Sequence, residues 1–126
     1  MNSSHSESLL SDLHPDPETA RHILGSAREF CMGKIAPLNS GFEQTHAFHH
    51  PLWAKMGEQG ILGASSEEKY GGHGHGLLIQ LVVMESVSYA SGSVGLSGIA
   101  HDALCRNRVE ACGTDEQKKK NLTKTK

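Results

Sequence analysis

The stretch LLIQLVVMESVSYA, Leu77 to Ala90, is apolar on nearly every side of a helix. Such a helix is expected at the centre of a structure, because a surface helix shows one apolar stripe and one polar face. The residues around it are helical in pattern too. HPDPETARHIL opens a helix: Asp16 can accept from free backbone N–H groups, and Pro17 suits a first position where its missing N–H is not needed. Ile23, Ala27, Phe30, Cys31 and Ile35 then recur at helical spacing. Pro37 is expected to end this helix, since the residue before a proline is pushed out of helical geometry. Asn39 to Phe48 reads as a polar loop.

HHPLWAKMGEQG reads as a second helix with Leu52, Trp53 and Met56 inside and Gly60 as a left-handed cap. ILGASSEEKYGGHGHG is irregular, with Ile61 and Leu62 turned inward. The central helix follows, and Gly92 breaks it. Ser93 to Cys112 forms a fourth helix, with Leu96, Ile99, Ala100, Ala103 and Leu104 on one side, and Gly113 ends it. In GTDEQKKKNLTKTK, Thr114 and Gln117 have the spacing of a capping box, and Asp115 and Glu116 suit the positive end of a helix dipole. No strand, internal repeat or low-complexity linker is visible. The expected fold is all-α, a small bundle of about five helices over residues 15–126, preceded by a polar, disordered segment at residues 1–14.

Composition narrows the function classes. A hydrophobic content of 37% in 126 residues is low for a self-sufficient globule and favours a piece that leans on something else. The formal net charge of -2 gives no electrostatic reason to expect nucleic acid. No apolar run reaches the roughly 20 residues of a membrane span. Cys31, Cys105 and Cys112 are an odd set without close pairs, so reduced thiols are expected. The N-terminal stretch carries Glu7, Asp12, Asp16 and Glu18 before its first arginine, Arg21, which fits neither a transit peptide nor a secretory signal.

Three motifs invite a chemical reading. GGHGHG has no strand before it and no Lys-Ser/Thr after it, which argues against a phosphate cradle. His73 and His75, with His46, His49 and His50 nearby in sequence, lack the cysteine pairs or spacing of a zinc site, so no metal is assigned. The simpler reading is a tight turn at positive φ that approaches a helix closely, with Tyr70 packed as an anchor. SYASGSVGLSGIAH, Ser88 to His101, is rich in small residues; these serve either close helix packing or one wall of a narrow apolar pocket. His101 and Cys105 share a helix face, but buried cysteines are usually inert packing residues, and no catalytic role is assigned to them.

The order of the motifs says more than any one of them. IAPL, LWAKMGEQGILG, YGGHGHG, VMESVSYASGSVGLS, AHDALC and GTDEQKKK, in that sequence, resemble the amino-terminal helical domain of the acyl-CoA dehydrogenases. The resemblance covers about Pro17 to Lys124. The glycine loop and the GTDEQK turn are general to that family, whereas ASGSVGLS and AHDALC are more particular to its branched-chain members, and the series as a whole most resembles the isovaleryl-CoA dehydrogenases. The resemblance implies a flavoprotein that carries FAD. A carboxylate takes the α-proton of an acyl-CoA, the β-hydride passes to the flavin, and the electrons go on to an electron-transfer flavoprotein. It implies a homo-oligomer with two further parts, a middle β-barrel and a carboxy-terminal four-helix bundle, which hold most flavin contacts and the catalytic glutamate. It also implies the mitochondrial matrix in a eukaryote.

The family continues its fifth helix through a Tyr-Leu-Pro-like segment. Here NLTKTK stands in that place, with Thr123 where proline is usual. The chain is therefore expected to be a truncated form or fragment that is inactive alone. None of Glu43, Glu58, Glu67, Glu68, Glu85 or Glu110 matches the catalytic position, and no catalytic residue is assigned. Leu96 falls where the isovaleryl enzymes shape the acyl pocket, and Ser97, Gly98 and Ile99 are expected to follow on the same wall. The alternative is a non-catalytic helical module that associates with full-length dehydrogenase subunits through apolar surface left uncovered.

Overall fold

The computed structural model describes residues 3–123, and over these the chain is helical with no strand. The all-α expectation is met. Helices α1 (Ser3–Leu13), α2 (Pro17–Phe30), α3 (Asn39–Thr45), α4 (His50–Glu58), α5 (Gly76–Ala90), α6 (Gly92–Ile99), α7 (Asn107–Cys112) and α8 (Asp115–Leu122) follow in order. Helix α5 is central: Ile79, Val82, Val83, Met84 and Val87 are buried in one core with Leu24 and Ile35 from the α2 side, Leu52 and Met56 from α4, and Val94 from α6.

The first fourteen residues depart from expectation. In place of a disordered segment, Ser3–Leu13 is a helix that packs on α2. Leu10 is fully buried, the Ser6 hydroxyl donates to Glu85 on α5, and Arg28 pairs with Glu7 at 2.9 Å. With only Leu9, Leu10 and Leu13 apolar, the segment has no stripe to betray it; one leucine and two polar contacts hold it. Met1, Asn2 and residues 124–126 lie outside the described residues.

Helix α2 starts as expected, with the Asp16 carboxylate accepting from the Thr19 N–H at 3.1 Å and Pro17 in its first turn. Its inner face is Ala20, Leu24, Ala27, Cys31 and Ile35. Pro37 does not end the helical path. The turn before it widens to π geometry at Cys31–Ile35, with the Ala36 N–H reaching back to the Cys31 carbonyl. A short 3-10 segment, Ala36–Leu38, carries the chain past the proline, and α3 occupies Asn39–Thr45 where a loop was expected. The widened turn removes the α-helical bond that proline cannot donate.

Helix α4 buries Leu52 and Met56, leaves Trp53 half-buried and closes on Gly60 at φ 70. The glycine loop then folds against its own beginning, and its His73 ring lies over Gly60 at the end of α4. A Cβ on Gly72 would lie 2.2 Å from the Ser66 carbonyl oxygen, so only glycine fits there. Tyr70 is half-buried, with the Lys69 ammonium 4.9 Å from its ring centre. After α6 the rod passes through a second π turn, Ala100–Arg106, into α7. The capping box of α8 forms both of its bonds, Thr114 N–H to the Gln117 amide oxygen at 2.9 Å and Gln117 N–H to the Thr114 hydroxyl at 3.3 Å.

Candidate functional site

Helix α6 lies directly on α5, and its glycines make this approach. A Cβ on Gly95 would sit 2.2 Å from the Ser88 hydroxyl and 2.7 Å from the Ser88 Cα; one on Gly98 would sit 3.0 Å from the Met84 sulfur. With Gly95 and Gly98 turned inward, Leu96 and Ile99 are turned out, 70% and 42% exposed. Further along the rod Leu104 is also exposed, as are Leu77 and Leu81 on α5. The close-packing reading of the small-residue stretch is realised at Gly95 and Gly98, while Leu96 and Ile99 stand on an exposed apolar edge.

The four expected pocket residues do not form one wall. Leu96 and Ile99 stand on the open apolar edge. Gly98 is buried against Met84 and is a packing residue, because its turn of the helix faces α5. Ser97 is half-buried, donates to the Ser93 carbonyl at 3.0 Å, and lines a cleft of ≈ 280 Å³ with Phe42, Phe48, Ser93 and Val94. That cleft lies between the end of α3 and the start of α6. His46, at φ 53, and Glu43 stand on its rim. The α3 contribution was hidden in sequence by the loop expected at residues 39–48.

Behind the rod lies a polar cluster that the sequence reading passed over. Asp102, 1% exposed, accepts the Gly63 N–H with both carboxylate oxygens at 3.1 and 3.0 Å, and its Oδ1 lies 2.8 Å from His101 Nδ1. Arg106, also buried, donates to the Ser66 hydroxyl at 3.1 Å and to the Leu122 carbonyl at 3.2 Å. Four bonds thus join the π turn to the strand-free segment after α4 and to the end of α8. The signal was available: an acid and a base four apart on one helix face. An aromatic series continues from this cluster toward the cleft, with His101 edge-on to Trp53 at 5.2 Å and Trp53 edge-on to Phe48 at 5.4 Å.

The acidic residues are dispersed. Glu85 accepts from Ser6, Glu110 accepts from the Glu67 N–H at 3.0 Å, and Glu67 pairs with Lys69 at 2.6 Å. Burial pushes the Cys31 thiol up to about 12, while Cys105 and Cys112 are exposed. Among the described residues, no group of three histidine, cysteine or acidic side chains is placed to hold a metal ion. No described helix is long and apolar enough to cross a membrane.

The family model "Acyl-CoA dehydrogenase, N-terminal domain" matches residues 17–125. The mitochondrial isovaleryl-CoA dehydrogenase of Solanum tuberosum is 41% identical over 121 residues, 94% of this chain and 28% of that protein. The Arabidopsis thaliana isovaleryl-CoA dehydrogenase is 40% identical, over 97% of this chain and 29% of that one. Among solved structures, butyryl-CoA dehydrogenase from Megasphaera elsdenii superposes with a TM-score of 0.78 at 28% identity, over 86% of this chain and 29% of that one. A chain in a structure of the electron transferring flavoprotein of Acidaminococcus fermentans gives 0.79 at 32% identity, over 84% and 28%. The chain thus spans less than a third of the length of the relatives it matches.

Proposed function

The chain belongs to the acyl-CoA dehydrogenase family, as its amino-terminal domain, and from this we propose that it supplies one wall of the acyl pocket in the dehydrogenation of a short or branched-chain acyl-CoA such as isovaleryl-CoA. The observation that carries the reading is the open edge of α6. Leu96 and Ile99 are held outward by the Gly95 and Gly98 approach, giving an apolar surface suited to one side of an acyl group.

The family's cofactor is FAD, and the described residues do not themselves make a site for it. The exposed α6 edge at Leu96 and Ile99 is aliphatic, and the hydroxyls of that helix, Ser93 and Ser97, line the separate cleft beside Phe42 and Phe48. In the proposed whole enzyme the flavin supplies the hydride acceptor, and this domain contributes shape and water exclusion beside the acyl group. The electron-transfer flavoprotein and a homo-oligomeric assembly come with the same proposal. The domain alone neither holds flavin tightly nor turns over substrate.

The test is a chimera in which residues 17–123 replace the matching domain of the potato isovaleryl-CoA dehydrogenase. A flavin-loaded chimera that oxidises isovaleryl-CoA supports the reading. A flavin-loaded chimera inert toward every short acyl-CoA overturns it. A second reading, a non-catalytic module that associates with full-length dehydrogenase subunits, is favoured by the exposure of Leu77, Leu81, Leu96 and Leu104. Failure of the purified chain to co-purify with such subunits counts against it.

A further inference from the structure

Three histidines from two parts of the chain, His22, His73 and His75, line one cleft at the glycine loop. His73 and His75 stack with ring centres 5.8 Å apart and planes 15° apart. His22 of α2 and Glu58 of α4 line the same cleft of ≈ 190 Å³. His14, between α1 and α2, and Glu68, in the loop's 3-10 turn, act on His75 electrostatically. The His73 ring also covers Gly60: a Cβ there would meet its Nε2 at 3.0 Å. The loop is closed by three backbone bonds, His73 to Gly63 at 3.1 Å, Gly74 to Ser66 at 2.9 Å and His75 to Ala64 at 2.9 Å. Gly71 and Gly76 flank the pair and Gly74 lies between its members, all three at positive φ, a backbone region open to glycine.

We propose that this cluster is a proton-sensitive latch: neutral His75, stacked on His73, holds the glycine loop closed over the end of α4, and protonating His75 releases it. Two imidazolium rings at this spacing repel each other. Burial, then His73, holds the His75 imidazole below its ordinary value; His14 adds to this, and Glu68 opposes it. The closed loop therefore binds fewer protons than the open one. Closure is at full strength above about pH 6.5, the ordinary imidazole value, and weakens as pH falls through the lowered value of the closed state. No metal is invoked.

Amide hydrogen exchange on the full chain between pH 5 and 7.5, corrected for intrinsic rates, tests this. The His73, Gly74 and His75 amides lose protection as pH falls, by up to about tenfold for each pH unit separating the closed and open imidazole values. The Val83 amide in α5 serves as the reference and holds steady. The double variant His73→Gln, His75→Gln makes loop protection independent of pH. Flat protection in the wild type, or an equal fall in the double variant, overturns the proposal. If the double variant does not fold, imidazole titration of the wild type by NMR decides. A lowered His75 titration supports the latch, and titration of His75 at the ordinary value overturns it.

Discussion

The Asp102 carboxylate accepts the Gly63 backbone N–H with both of its oxygens, at 3.1 and 3.0 Å, across a buried interface between the π turn and the segment after α4. Gly63 sits at φ 73, and a Cβ there would come within 3.3 Å of the Arg106 guanidinium. The backbone, the acid and the base therefore fix one another's positions. Replacing Asp102 with alanine orphans a buried donor, and the expected loss is about 1–3 kcal/mol of stability. Asp102→Asn, which keeps an oxygen in place, loses less. Urea denaturation of the two variants measures the difference.

The contact of α6 with α5 sets a second expectation. Gly95→Val drives a branched side chain into the Ser88 backbone and destabilises by at least about 1–3 kcal/mol. Gly98→Ala meets only the Met84 sulfur, the movable part of a long side chain, and is milder. Leu96→Ala, on the open edge, stays within about 0.5 kcal/mol of the parent. Chemical denaturation should rank the three in that order; equal effects would mean that α6 does not lie on α5 as described.

The cysteines differ in reactivity. Iodoacetamide at neutral pH labels Cys105 and Cys112 in the native chain and spares Cys31. Because the Cys31 thiol is pushed up to about 12 by burial, raising the pH to 9 or 10 does not bring it into reaction. Peptide mapping before and after unfolding reads this directly, and early labelling of Cys31 would count against a buried α2 face.

In the chimera described above, Leu96→Ala is expected to alter the choice between isovaleryl-CoA and butyryl-CoA by about tenfold, the usual yield of a small change in an apolar pocket. The readout is the ratio of kcat/KM values with flavin content held equal. An unchanged ratio would remove Leu96 from the acyl wall.

Much of the fold was legible because it rests on local rules. The cap at Asp16, the capping box at Thr114, the left-handed Gly60 and the all-round apolar pattern of α5 each follow from the chemistry of a few adjacent residues. The misses have a common cause in tertiary contact. Helix α1 shows no stripe, yet Leu10 finds a place in the core. Pro37 should have ended the helical path, yet a widened turn carries the chain through it. The candidate site divided in the same way. Helical spacing already put Leu96 and Ile99 on one side of their helix, whereas the inward role of Gly98 and the cleft built by Phe42 and Phe48 depend on how α3 and α5 meet α6.

The two π turns, Cys31–Ile35 and Ala100–Arg106, act on the chain as phase shifters. Each takes about one residue more per turn than an α-helix, so the helical clock after it runs about 100° late. A stripe counted through either turn on a 3.6-residue wheel points the later residues at the wrong neighbour. Deleting one residue between positions 100 and 106 would advance α7 and α8 by that angle and swing Arg106 away from Ser66.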